Sequence, residues 1–399
     1  MNDKRKTFEI DTRAMIDRRT LMKGAAAIGG GIVALPSIVG VARAATVVKI
    51  AQVEALTGPS SAYGQRCRDG AIMAVEEINA AGGFADSKGT KYTIELSTED
   101  MANDARQAVT LYRQHALNTA YAAQVGPANS VGYVPMVPLA GQLKLPVIGA
   151  AGAPVKRWSE WAYRVNPVSG TATPILLEKV VKKNGIKRLA VIYDQTQDAQ
   201  AGDAEVCKTS EKKFGYELVA YEAFNGGDQD FAAQLTTIKG AKPDAIYVAS
   251  TTGDGIKVTS QLRAMGLDQP LLTGYGNFQD PLYWDGTNGG IKDCYTWTGR
   301  DYKGAEGPVA DWLARYAKRF KLEVTTYSSY GYDYIYCIVE AIKRANGTDR
   351  NKINEALKAL DFVTPIGTHV TFKNPPTGEN MTPTVTILQM TGRASYTAI

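Results

Sequence analysis

The sequence predicts an α/β fold of two lobes, each a parallel sheet flanked by helices on both faces. Three observations predict it. Short apolar runs of strand length alternate with longer runs at helical spacing. The alternation comes as two tandem series, broken at Arg164-Val165-Asn166-Pro167. The chain has 399 residues, 44% of them hydrophobic, enough for two cores at roughly 100–200 residues per domain.

The first series opens on Val47–Val53, a buried strand with polar interruptions, and turns at Leu56-Thr57-Gly58-Pro59-Ser60. From Gln65 to Ala81, the positions Ala71, Ile72, Val75 and Ile78 recur at helical spacing, and Gly82-Gly83 stops the run. Tyr92–Glu99 reads as a strand, Asp104–Asn118 as a helix and Ala122–Val125 as a strand. Gly126-Pro127 leads into a helix reaching Leu143, and Pro146–Gly149 is a short strand. The second series alternates helices Thr173–Lys183, Ala199–Phe214, Phe231–Lys239 and Gly255–Met265 with strands Leu189–Tyr193, Glu217–Ala223, Ala245–Ala249 and Leu271–Thr273. Helices Val309–Arg319, Tyr330–Ala345 and Asn351–Leu360 follow, then terminal strands Thr368–Phe372 and Thr384–Gln389. Each series is Rossmann-like in its alternation. No short-period repeat appears, which excludes solenoids.

Residues 1–44 carry eight basic and four acidic residues, and so +4 of the formal +5. The remainder is nearly neutral, so bulk charge gives no support to nucleic-acid binding. Asp17-Arg18-Arg19-Thr20-Leu21-Met22-Lys23 resembles a twin-arginine export signal. A Gly-rich, weakly apolar stretch follows, and Ala42-Arg43-Ala44 is a small-x-small cleavage site. The expectation is a mature chain from Ala45, in the periplasm.

In open parallel sheets, ligands bind outside the carboxyl ends of the strands. The loops that matter are then Glu54–Gly64, Gly126–Ser130, Gly149–Pro154, Asp194–Ala201, Ser250–Asp254 and Gly274–Asn277. They are rich in small and hydroxyl residues, which let backbone N–H groups approach an anion. Catalytic inventories fail. The two histidines, His115 in mid-helix and His369 in a terminal strand, follow no strand end of the first sheet. No Gly-x-Ser-x-Gly elbow or P-loop occurs, and Gly274-Tyr275-Gly276 lacks the third glycine of a dinucleotide fingerprint. Cys67, Cys207, Cys294 and Cys337 lie far apart, without a Cys-x-x-Cys pair. They read as buried small hydrophobes, with one or two disulfides left open. Asp228-Gln229-Asp230 lacks the rest of a calcium loop, and Asp230 reads as a helix cap before Phe231. No enzyme, cofactor or metal site is expected.

Several stretches, taken in order, resemble one family. Leu56-Thr57-Gly58-Pro59, Tyr63-Gly64 and Ala74-Val75-Glu76-Glu77-Ile78-Asn79-Ala80-Ala81-Gly82-Gly83 are similar to the start of mature branched-chain amino acid binding proteins. Asp230-Phe231 with Leu235 and Ile238-Lys239, Pro243-Asp244-Ala245-Ile246-Tyr247, and Gln261-Leu262-Arg263-Ala264-Met265-Gly266 resemble that family's second lobe. Tyr330-Gly331-Tyr332-Asp333 and Glu340-Ala341-Ile342 resemble its late helix. These proteins are periplasmic solute receptors of ABC importers with the type I fold. The resemblance implies three hinge crossovers, with lobe one at 45–165 plus 299–369 and lobe two at 166–298 plus 370–399. It also implies a small-molecule solute, an inner-membrane permease with a cytoplasmic ATPase, and a monomer.

The resemblance further implies site residues. Tyr63 matches a pocket aromatic, and Asn129 and Ser130 match residues that bind a ligand carboxylate. Ala151 and Gly152 match a loop whose backbone, with a Thr or Ser side chain, holds an amino acid's α groups; here that residue is Gly152. Asp198 falls where a Tyr often stands, and Thr251 where another aromatic is common. Tyr275 falls where amino acid binders place a Glu, and Tyr327 matches an aromatic near the hinge. Burying an ammonium without an anionic partner costs several kcal/mol. Neither Gly152 nor Tyr275 offers a formal charge, though Asp198 could substitute; the departures point to a carboxylate lacking an α-ammonium, in a tyrosine-rich pocket that suits an aromatic ring. Branched-chain or other hydrophobic amino acids and amide- or urea-like solutes stay open. So does a sensor that docks on a membrane signalling receptor.

Overall fold

The computed structural model describes residues 45–373 and 377–399. Arg18, Arg19, Ala42 and Ala44, expected as an export signal, lie outside the described residues. In the first sheet, β1 (Thr46–Glu54) is central and its last five residues are buried. It is joined by β2 (Phe84–Ala85), β3 (Lys91–Asp100), β4 (Tyr121–Val125), β5 (Val147–Gly149) and β6 (Ala162–Arg164), in the order β2-β3-β1-β4-β5-β6. All pairings are parallel except β2 with β3. Helices α1 (Ser61–Ala80), α2 (Ala105–Leu117) and α3 (Ser130–Leu143) connect them.

The chain then enters the second sheet through α4 (Ser169–Asn184). There β7 (Arg188–Asp194), α5 (Asp198–Thr209), α6 (Glu211–Phe214), β8 (Glu217–Phe224), α7 (Ala232–Ala241) and β9 (Ala245–Ala249) alternate. They are followed by α8 (Thr252–Ala264), β10 (Leu271–Thr273), α9 (Pro281–Gly286) and β11 (Tyr295–Thr298). Next come α10 (Gly307–Phe320), α11 (Thr326–Ala345), α12 (Arg350–Lys358) and the hairpin of β12 (Asp361–Val363) with β13 (His369–Thr371). Finally β14 (Thr386–Gly392) and β15 (Ser395–Ala398) add antiparallel strands to β11, giving the order β15-β14-β11-β10-β9-β7-β8.

Helix α11 returns to the first sheet and packs along α1. Two glycines let the backbones touch. A Cβ at Gly70 would press on the Ser328 carbonyl, and one at Gly331 on the Cys67 carbonyl. Both helices start at the carboxyl ends of the strands, so this close packing brings Tyr63 and Tyr327 together at one place.

Some elements differ from the sequence reading. β2, β6 and β12 have two or three residues each, too short to show a period. The helix expected over 199–214 breaks at Ser210, with α6 ending on the left-handed Gly215. α11 starts at Thr326, not Tyr330, because Thr325 and Ser328 form a capping box. Asp230 is one residue outside the cap of α7: Phe231 is the N-cap, and the Asp230 carboxylate accepts from the Ala232 N–H at 2.9 Å. All four cysteines are buried and free, which answers the disulfide question.

Candidate functional site

Carboxyl-end loops of both sheets and the first turn of α11 meet in one cavity. It is lined by Ser60 and Tyr63 after β1, Ala128, Asn129 and Ser130 after β4, and Ala150 and Gly152 after β5. The second sheet adds Gln197, Ala199 and Gln200 after β7 and Tyr275 after β10; Tyr327 comes from α11. The cavity is nearly closed: its free volume is about 10 Å³, room for about one water, so its walls must part to admit a solute.

Six of the residues expected from the sequence line this cavity: Tyr63, Asn129, Ser130, Gly152, Tyr275 and Tyr327. Three do not. Asp198 is exposed at the first position of α5, where helical geometry turns Gln197 and Gln200 inward and Asp198 outward. It is therefore not placed to pair a buried ammonium. Ala151 is buried in the core behind the loop, its carbonyl accepting from Arg164 Nη1 at 3.1 Å and Asn166 Nδ2 at 3.2 Å. Thr251 is buried as the N-cap of α8 and is not itself in the lining, although the carbonyl of its neighbour Ser250 accepts from the lining residue Gln200 at 3.4 Å. The sequence reading missed Ser60, Ala128, Ala150, Gln197, Ala199 and Gln200 as lining residues. All lie in or beside loops it selected. Their signal was loop membership, since small and amide side chains carry no stronger mark.

Tyr63 and Tyr327 stack with ring centroids 4.4 Å apart and planes 14° apart, making a flat wall. The Tyr63 hydroxyl donates to Asn277 Oδ1 at 2.6 Å, and Asn277 Nδ2 donates to the Ser250 carbonyl at 2.8 Å. This ties α1 to the second sheet. Opposite, Tyr275 sits in the left-handed region at φ 60°, which is uncommon for a bulky residue and marks an imposed conformation. Its ring packs on Trp297 at 4.4 Å. Its hydroxyl bonds Ser169 Oγ and donates to the Ala199 carbonyl at 3.2 Å. Gly152 makes that position possible: a Cβ there would lie 2.6 Å from the Tyr275 hydroxyl oxygen and overlap its ring. Burial pushes the phenols of Tyr63, Tyr275 and Tyr327 up, so all three stay neutral.

No residue in the lining carries a formal charge. The field comes from main chain instead. The first turns of α1, α3, α5 and α11 all contribute lining residues, so four helix N-termini adjoin one small cavity. α1 and α5 have no side-chain cap bond. Such termini favour an anion. Ser130 Oγ accepts from the Ala153 N–H at 3.1 Å, which leaves its proton free to donate. Asn129 is already engaged: its Oδ1 caps α3 through the Gly132 N–H, and its Nδ2 donates to Asn103.

One turn on from Tyr63, Arg66 of α1 meets Asp280, the cap of α9, at 3.3 Å, both side chains nearly buried. Outside it, Arg393 bridges Asp285 and Glu323 on the surface. The Arg66–Asp280 and Arg393–Glu323 pairs join the two sheets' bodies across the seam. His115 is buried between Gln124 and Glu99, and His369 pairs with Asp361; neither lines the cavity. Among the described residues, no group of His, Cys, Asp and Glu could hold a metal ion. Also among them, no helix is long and apolar enough to cross a membrane.

A sequence profile of the periplasmic binding protein family matches residues 47–394. A Leu/Ile/Val-binding protein homolog of Brucella melitensis is 27% identical over 362 residues, covering 90% of this chain and 95% of its own. The branched-chain amino acid transporter substrate-binding protein LivJ of Streptococcus pneumoniae, solved with isoleucine, superposes with a TM-score of 0.79 at 24% identity. It covers 88% of this chain and 99% of its own. An ABC transporter solute-binding protein of Rhodopseudomonas palustris, solved with 3,4-dihydroxybenzoic acid, gives 0.75 at 23% identity, over 86% and 93%. Both structures share the type I fold of two helix-flanked sheets seen here. This chain belongs to the periplasmic binding protein family.

Proposed function

We propose that the protein is the solute receptor of an ABC importer, and that its solute is a small carboxylate without a buried ammonium, with an aromatic ring as the best fit. The observation that carries this is the cavity wall: four helix N-termini and neutral hydroxyls, with no charged side chain in the lining. A carboxylate finds donors there, while an ammonium finds no anion and would lose several kcal/mol of hydration. The flat Tyr63–Tyr327 pair and the Tyr275 edge suit a planar ring.

The fold itself does not choose between solutes, since one structural neighbour was solved with isoleucine and another with a dihydroxybenzoic acid. The second reading, a branched-chain amino acid, is favoured by the name of the Brucella melitensis relative. In either case the receptor works in the periplasm as a monomer, with its lobes at 45–165 plus 299–369 and 166–298 plus 370–399. It closes over the solute and presents both lobes to an inner-membrane permease with its cytoplasmic ATPase. Closure requires a solute that contacts both sides of the cleft.

The test is a thermal-shift panel on protein unfolded and refolded to strip bound solute. It compares benzoate, hydroxycinnamates and short carboxylates with leucine, valine, phenylalanine and urea. A solute at 100 times its Kd adds about 2.7 kcal/mol. Stabilisation by carboxylates alone supports the first reading. Stabilisation by leucine and not by benzoate overturns it in favour of the second.

A further inference from the structure

A buried acid stands directly behind the cavity wall. Asp203 lies on α5 and is 1% exposed. Its Oδ1 accepts from Thr173 Oγ1 at 2.5 Å and its Oδ2 from the Tyr247 hydroxyl at 3.0 Å. Ser169, one turn before Thr173 on α4, lies beside the carboxyl, and its hydroxyl bonds the cavity-lining Tyr275. The main chain of the cavity loop rests on it as well: a Cβ at Gly274 would lie 2.5 Å from Asp203 Oδ2. The carboxyl is thus two side chains from the solute space, through Ser169 and Tyr275.

The groups facing it are all uncharged. α4 contributes Ser169 and Thr173, β9 contributes Tyr247, and β11 contributes Trp297, whose indole N–H donates to Thr173 Oγ1 at 3.0 Å. Its own helix contributes the Cys207 thiol; the cavity loop contributes Tyr275, and Tyr63 lies across the cleft. Burial pushes the Asp203 carboxyl up to about 7, and the bonds from Thr173 and Tyr247, with the Ser169 hydroxyl beside them, hold it from going further. No cation compensates it. An unpaired buried acid is costly, and an amide of the same shape would fill the place with one oxygen accepting and its Nδ2 donating to the other hydroxyl.

We infer that Asp203 is a specificity-determining residue of the cleft, setting through Ser169 and Tyr275 which sign of charge a solute can bring in. This rests on the solute-receptor reading above and adds the residue that discriminates. With its proton, Asp203 is neutral and the helix termini hold a carboxylate unopposed. Without it, a negative charge behind Tyr275 repels a carboxylate and favours an ammonium. Linkage makes this reciprocal: a bound carboxylate raises the proton affinity of Asp203, and a bound ammonium lowers it.

The experiment is calorimetric titration of the full chain, stripped and refolded, with benzoate and with leucine at pH 6.0, 7.0 and 8.0. Each is run in two buffers of different ionisation enthalpy, to count protons taken up. Wild type is compared with Asp203→Asn. Benzoate affinity is expected to fall about fivefold or more from pH 6 to pH 8, a typical coupling between sites, with net proton uptake near pH 7. In Asp203→Asn that slope and the proton uptake are lost. The proton count on wild type needs no variant, so a poorly folding Asn protein does not block the test. Benzoate affinity flat with pH in wild type, or an equal slope in the variant, overturns the role of Asp203 while leaving the receptor reading standing. Binding of neither probe at any pH overturns the solute reading, and this inference with it.

Discussion

On the first-sheet side of the cleft, Glu54 ends β1 fully buried, with Oε2 accepting from the Ala128 N–H at 2.8 Å and Oε1 without a partner. On the second-sheet side, Asp203 is equally buried but receives two hydroxyl donors, one on each oxygen. Burial pushes Glu54 well above the usual carboxylate range, with one backbone N–H to offset it. Two donors, with the Ser169 hydroxyl beside them, hold Asp203 at about 7. Both acids sit behind loops that line the same cavity. The difference teaches that the number of donors, more than depth, decides whether a buried acid is a fixed neutral brace or a group that titrates near neutral pH. The first wall is a frame; the second holds the adjustable part.

Four measurements would break or sharpen this contrast. The largest effect is expected where the two walls are joined. Arg66→Ala strands a buried Asp280 and should cost about 3–5 kcal/mol, read from the urea midpoint at constant slope. An unchanged midpoint would mean that the pair does not hold the walls together. Next is Gly152→Ala, which drives a methyl into the Tyr275 ring. A loss of about 1–3 kcal/mol is expected, with much of it recovered when Tyr275→Leu is added. Independent, additive losses would show that the two positions do not touch.

The third measurement is stability against pH. An acid whose pKa is raised on folding keeps a proton that the unfolded chain gives up near pH 4. Its contribution is complete below that pH and is lost as pH rises through the folded value. The fall is at most about 1.4 kcal/mol per pH unit for each group. For Asp203 it ends near pH 7. Asp203→Asn should flatten that part of the curve, and Glu54→Gln should remove a separate share. Identical curves for wild type and Asp203→Asn would place its titration elsewhere. The smallest effect belongs to Tyr63→Phe. It keeps the stack on Tyr327 and loses the bond to Asn277, for about 1 kcal/mol. A loss of several kcal/mol would show that this one hydroxyl, and not the ion pair, closes the cleft.

The two-sheet architecture was legible because strand and helix periods are local. The cavity was legible in part for the same reason, since strand ends in parallel sheets mark where loops gather. Tyr63, Ser130, Gly152 and Tyr275 were found this way, helped by the family resemblance. Asp198 failed because facing inward or outward at a helix start depends on one residue of register, which composition does not encode. Asp203 was invisible for a different reason. Its importance comes from Thr173, Ser169 and Tyr247, up to 44 residues away in the chain, folding onto it with no cation. Arg66 and Asp280 meet across 214 residues, and no local pattern announces such a pair.

Trp297 gives one more consequence. Its buried indole lies against Tyr275, and its N–H is one hydroxyl away from the Asp203 carboxyl. An excited indole responds to nearby charge and to the loss of a packed aromatic neighbour, so its emission should report both the acid's ionisation and any displacement of the Tyr275 ring. The protein therefore carries an optical reporter in the second wall of its own cleft, readable without dye or label.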